Sequence, residues 1–142
     1  GDITIRSGHL HFEDEKLVSG KVDIDMQSIV CTDLEGNYKK QLENHLNSAD
    51  FFDTKNHPTS TIEIIECKYK GYNKYEIVSK VTIKGITQDV VFAATVKNGV
   101  ASANIKLDRA KFDVRYGSGS FFSDLGDNLI YDEFELDVNM TY

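Results

Sequence analysis

The sequence has no excess of positive charge, no long apolar run and only two cysteines. Each absence removes a class of function. Lys and Arg number 16 against 23 Asp and Glu, a formal net charge of −7. Duplex DNA and anionic membrane surfaces both select a basic footprint, so no nucleic acid partner is expected. The acidic excess reads as plain solubility. No apolar stretch approaches the ~20 residues that a spanning helix needs, so no integral membrane segment is expected. There is no repeat, low-complexity tract or composition break, and 142 residues suit one domain, 1–142, with a sizeable core. No signal peptide is visible either. A chain that opens at Gly1-Asp2 without methionine reads as a mature or trimmed form, which leaves a removed export signal open.

The two cysteines lie in no CxxC motif and in no Cys/His spacing of metal type. Neither a metal nor another cofactor is expected. Cys31 ends the strand before a helix, and Cys67 lies near the far end of the strand after it. If these strands are antiparallel neighbours, Cys31 faces residues near Ser60. Cys67 is then about seven residues further on, roughly 23 Å at ~3.3 Å per residue. A disulfide needs Cα atoms within ~7 Å, so two free thiols are predicted, as packing residues.

What is present is one helix among alternating strands. Tyr38, Leu42, Leu46 and Ala49 recur at three- and four-residue steps and form an apolar stripe. Lys39, Lys40, Glu43, Asn44 and Asn47 fall opposite, and Asn37 or Asp33 is the expected cap. Asp50-Phe51-Phe52-Asp53 follows as a turn with two large rings. His57-Pro58 then ends helical structure, because the residue before proline is pushed into an extended conformation. The helical segment spans about residues 33–53, and its stripe must cover or close the sheet, as a lid or plug.

Short alternating runs fill residues 2–7 and 9–13, separated by Gly8. Longer ones fill 20–31, 59–69, 75–83, 90–96, 101–107 and 129–142, with Lys84-Gly85-Ile86 as a tight connection. Asn98-Gly99 is the strongest hairpin signal, because both central positions of a type I′ turn need positive φ. One apolar face per strand indicates antiparallel sheet with one buried side. The expected fold is mainly β: eight antiparallel strands closed into a barrel, which also removes exposed edges, with a sandwich as the alternative. An eight-stranded barrel either fills with side chains or holds one small ligand. Its inward face mixes Phe92, Phe134 and several isoleucines with Ser79, Ala94, Ala101 and Ala103. Small residues leave room, unless large neighbours occupy it.

Candidate catalytic chemistry is sparse. His9 and His11 share a strand face without a second ligand pair and read as solvent-facing. His45 reads as a packing histidine beside Leu46, and His57 serves its turn. The glycine-rich residues 116–120 lack the Lys-Ser/Thr ending of a phosphate loop and the G-x-S-x-G setting. Asp23/Asp25 and Glu133/Glu135/Asp137 alternate outward as solvated faces. Arg109 and Arg115, beside Phe112 and Val114, are expected in a structural ion pair, with contact to a ligand's polar head as the alternative. Composition and spacing therefore end at a small β-barrel with a helix and no visible catalytic set.

Three segments resemble a known family. Residues 28–64 carry Ser28-Ile29, His45-Leu46, Asp50-Phe51-Phe52 and His57-Pro58 in the order found in the YceI-like family. VTIKGITQDVVFAATV (81–96) is similar to that family's "LTI-GVT--V-F" strand pair. Residues 108–138 are similar to its closing segment, with Arg109, Phe112, Asp113 and Tyr116 in matching places. The resemblance covers nearly the whole chain. One departure is that the family usually carries more sequence ahead of the position of Gly1, completing the first strand.

The resemblance implies a lipocalin-like antiparallel barrel whose apolar lumen holds a long isoprenoid or similar lipid, in a family with many members exported to the bacterial periplasm. A periplasmic or secreted location follows as an expectation, and a homodimer is left open. The ligand-binding residues assigned by strand parity are Ile24, Met26, Phe51, Phe52, Ile62, Ile64, Ile77, Val81, Ile83, Phe92, Ala94, Ala103, Ile105, Phe112, Tyr116, Phe134 and Leu136. Three functions compete. A non-catalytic lipid carrier needs an elongated apolar cavity. A structural or interaction barrel needs a filled core. A small barrel enzyme needs inward polar groups, for which Ser79, His45, Arg109 and Tyr116 are the available set.

Overall fold

Alternation of apolar and polar residues dictates strands here, and turns with positive φ join them. The computed structural model describes residues 1–32, 35–48, 51–112, 114 and 133–142. Its strands are β1 (Asp2–Glu13), β2 (Lys16–Val30), β3 (Thr59–Gly71), β4 (Lys74–Ile83), β5 (Ile86–Lys97), β6 (Val100–Asp108) and β7 (Glu133–Thr141). The helix α1 (Gly36–Asn47) lies between β2 and β3, and a 3-10 turn (Arg109–Phe112) follows β6. The strands form one antiparallel sheet in chain order, β1 to β7. It curls until its ends meet: the Phe12 ring of β1 stacks on Tyr142, just past β7, with centroids 5.1 Å apart. Among the described residues no hydrogen-bonded ladder joins β7 back to β1. The expected lipocalin-like, mainly β architecture is therefore present as a curled sheet whose two ends touch through side chains.

There are seven strands among the described residues, where eight were expected. Gly8 does not divide the first two runs. It pairs with Val22 inside a continuous β1. A Cβ there would lie 2.9 Å from the Met140 methyl and 3.3 Å from the Lys21 carbonyl, so glycine serves close approach across the seam. The second strand begins at Lys16 instead of residue 20, after a two-residue turn at Asp14 (φ 50) and Glu15 (φ 68). That turn lacks glycine, which is why the sequence did not announce it. Asn98 (φ 52) and Gly99 (φ 80) form the expected hairpin turn. Residues 115–128 of the expected long loop, and 129–132 of the last strand, lie outside the described residues.

The helix is shorter than the expected 33–53. Glu35 holds the N-cap position without a side-chain hydrogen bond, and Asn37 lies within the first turn, so Asn37 is not the cap. Asp33 and Ala49 lie outside the described residues. None of the helical residues is buried, and Tyr38 is 58% exposed, so the apolar stripe is only half covered. Leu46 packs against the core as a partly buried neighbour. The helix is held to the end of β2 by the Cys31 N–H, which donates to Glu43 Oε2 at 2.8 Å.

Register corrects one further expectation. Ile24, not Cys31, lies opposite Ser60, so the register is offset by seven residues from the one that the cysteine suggested. Both cysteines are free, as predicted. Burial, with a smaller contribution from the charge of Glu66, raises the Cys67 thiol from 9.0 to about 11. The thiolate is the reactive form, so at pH 8 Cys67 holds about a hundredfold less of it than an ordinary cysteine. Iodoacetamide should modify the native protein slowly at pH 8 and both thiols rapidly after unfolding, as read by mass spectrometry.

The interior carries two apolar clusters. One gathers Val22, Phe51, Ile62, Val81, Ile83, Ile105, Leu107, Phe112 and Val114, and the other Leu17, Ile64, Tyr75, Ile77, Ala94 and Val96. A bulge between Ile64 and Glu66 turns Ile65 outward, to 47% exposure, and keeps Cys67 opposite Ile77. In the second cluster the buried Leu17 N–H donates to the Tyr75 hydroxyl at 3.2 Å, across 58 residues of sequence. Tyr75→Phe removes that acceptor and should lower the unfolding free energy by about 1 kcal/mol in urea titrations.

Candidate functional site

The inward residues of β2, β3, β4 and β7 do not meet at the centre of one half of the curl. They surround a cavity of about 550 Å³ that opens to solvent on one side. Its wall includes Ile24, Met26, Ile62, Val81, Ile83, Phe134 and Leu136, with Leu42 and Leu46 of α1 and the rings of Phe51 and Phe52 at the helical end. Phe51 and Phe52 meet edge to face at 4.7 Å, and Phe52 reaches Phe134 of β7 at 6.3 Å. Edge-to-face rings hold one another at fixed angles, so this trio is a stiff part of the wall. The half-buried helix therefore lines the cavity at one end through Leu42 and Leu46. Asp2, Glu133 and Glu135 lie at the rim, and the wall is mostly apolar.

The other half of the curl is nearly solid. Ile64, Ile77, Phe92, Ala94, Ala103 and Ile105 line a void of only about 50 Å³. The small residues Ala94, Ala101 and Ala103 leave little room there, because Leu10, Leu17 and Met140 reach the same space. Strand parity thus identified inward residues in both halves, but only nine of the assigned set line the large cavity: Ile24, Met26, Phe51, Phe52, Ile62, Val81, Ile83, Phe134 and Leu136. Phe112 is 1% exposed, packs in the larger cluster and lines neither space. Tyr116 lies outside the described residues. Several wall residues were not assigned from sequence. Leu42 and Leu46 belonged to the recognised helical stripe, and Ser60 shares the parity of Ile62, so their signals were present. Ile3 lay in the alternating run 2–7 and Ile29 in the Ser28-Ile29 motif, whereas Cys31 carried no signal.

The expected polar set does not converge among the described residues. Ser79 is fully buried and its Oγ donates to the Val90 carbonyl at 2.8 Å, away from the cavity. The His45 ring leans on Phe51 at 5.6 Å as a packing group. The side chains of Arg109, Arg115 and Tyr116 lie outside the description. His9 and His11 are exposed on β1, and no cluster of three His, Cys, Asp or Glu suited to a metal occurs among the described residues. No helix of the described residues is long and apolar enough to cross a membrane.

Comparison with known proteins agrees with this geometry. A YceI-like domain model matches residues 1–142. A UPF0312 protein of Azotobacter vinelandii is 29% identical over 87 residues, which are 61% of this chain and 43% of that protein. One from Photorhabdus laumondii is 26% identical over 130 residues, 83% of this chain and 65% of that protein. The chain thus spans less than two thirds of the length of these curated relatives. Among solved structures, Burkholderia cenocepacia BcnA superposes with a TM-score of 0.75 at 25% identity, covering 96% of this chain and 82% of that one. A Campylobacter jejuni YceI protein does so with a TM-score of 0.73 at 18% identity, covering 99% and 83%.

Proposed function

The chain belongs to the YceI-like family, and from that premise we propose that it binds, stores or carries an isoprenoid or other long-chain lipid without chemical change. The observation that carries the reading is the apolar cavity of about 550 Å³. That size lies within the ~300–1,000 Å³ of ligand pockets, and an apolar wall with few polar groups suits a hydrocarbon chain. Removing about 300 Å² of ligand surface from water would contribute roughly 7 kcal/mol before the losses of immobilisation. The cargo's chain enters past α1 and lies between Phe52, Phe134 and the isoleucines of β2 to β4. Carriage of a lipid between membranes fits a periplasmic or secreted site of action. The reading needs no second copy of the chain, and sedimentation would reveal a homodimer by mass.

Organic extraction of purified protein followed by mass spectrometry tests the proposal. The expected result is a long-chain lipid in near-stoichiometric amount, or its uptake by the emptied protein. Protein that neither carries nor takes up any such lipid would remove the carrier reading.

A further inference from the structure

Three polar side chains are buried among the described residues: Thr54, Ser60 and Ser79. Two are satisfied by the chain itself. Thr54 Oγ1 donates to Asn47 Oδ1 at 2.7 Å, and Ser79 Oγ donates to the Val90 carbonyl at 2.8 Å. Ser60 is different. It is 2% exposed, and among the described residues its Oγ has no hydrogen-bond partner. It alternates into the interior with Ile62 and Ile64 along β3, pairs with Ile24 of β2, and lines the large cavity. Ile24, Ile62, Val81 and Ile83 on the same wall carry no polar side-chain atom that could answer it. A hydroxyl taken out of water without a partner destabilises the fold, and such groups are rare unless something outside the chain completes them.

We infer that Ser60 is a polar subsite within the apolar cavity, and that the cargo carries an uncharged hydrogen-bonding oxygen, an alcohol or a carbonyl, on its chain. This rests on the carrier reading above. A pure hydrocarbon would leave the hydroxyl as it stands. A carboxylate or phosphate would lose its water beside a wall to which, among the described residues, no lysine, arginine or histidine contributes. A serine serves either oxygen class, because its hydroxyl donates to a carbonyl and both donates to and accepts from an alcohol.

The test is displacement of diphenylhexatriene, a fluorescent hydrocarbon, from the emptied protein. Competitors are dodecane, dodecanoate and a set of dodecanols with the hydroxyl at successive carbons. The expected result is that one dodecanol position outcompetes dodecane by about two- to tenfold, the net value of one hydrogen bond. Ser60→Ala should abolish that preference and leave the melting temperature of the empty protein no lower. Ser60→Thr, which keeps the hydroxyl, should retain the preference. Equal competition by every dodecanol and by dodecane would overturn the inference, with a retained water as the group's partner, while the carrier reading survives. A preference that persists in Ser60→Ala, a lowered melting temperature in that variant, or dodecanoate binding tighter than every dodecanol would overturn it too. Failure of diphenylhexatriene and all competitors to bind would overturn the carrier reading and the subsite together.

Discussion

Replacing Phe112 by alanine is expected to lower the unfolding free energy by about 3–5 kcal/mol, the usual cost of removing a buried ring. Phe112 is 1% exposed and stands at the end of the 3-10 turn, packed with Val81, Ile83, Ile105, Leu107 and Val114. The turn is fixed to β5, since Gln88 Nε2 donates to the Lys111 carbonyl at 3.1 Å. The ring therefore cannot be replaced by collapse of the backbone, and a cavity remains. In a chain of this size the melting temperature should fall by about 10–20 °C. Lipid affinity below the transition should stay near its original value, because Phe112 lines neither interior space. A loss under 1 kcal/mol in urea titrations, or a large loss of affinity in the folded variant, would contradict the separation of core from cavity.

Leu136→Trp should do the reverse. Leu136 is partly buried on β7, opposite Ile105 of β6, and faces the large cavity. A tryptophan there has open space to enter, so the overpacking cost of a filled core does not arise in full. Its ring displaces roughly two or three methylenes of cargo, at ~0.8 kcal/mol each, which weakens binding about tenfold to fiftyfold. Titration with a fluorescent lipid reads the affinity, and far-ultraviolet melts read the fold. Unchanged affinity with the indole buried would mean that cargo does not use this wall.

These two substitutions mark where sequence reasoning succeeded and where it stopped. Alternation placed Ile62, Ile64, Ile77, Val81 and Ile83 inward, and they are buried. It could not tell Ile62 and Val81, beside open space, from Ile64 and Ile77, in the nearly solid half. Period-two patterning reports which face of a strand a residue occupies, not its depth along the curl. Depth depends on neighbours far away in sequence, such as Leu17 under Tyr75 or Phe134 against Phe52. Turn chemistry was legible at Asn98-Gly99 and silent at Asp14-Glu15, where two ordinary acidic residues take positive φ. Gly8 was visible but misread: its missing side chain admits Met140 rather than dividing the strand. The family motifs around His45-Leu46 and Asp50-Phe51-Phe52 located the cavity mouth more directly than periodicity did. They identified a place, and the polar exception at Ser60 needed coordinates.

A complete hoop of hydrogen bonds has a girth fixed by the number of strands and their stagger, so its radius takes discrete values. The wall described here has a slit instead, bridged by Phe12 on Tyr142 and by Met140 against Gly8. Parting those contacts widens the interior without breaking any ladder among the described residues. Under the carrier reading, the same chain can then fit cargo of different thickness, giving up among the described residues contacts such as that ring stack and that methyl contact.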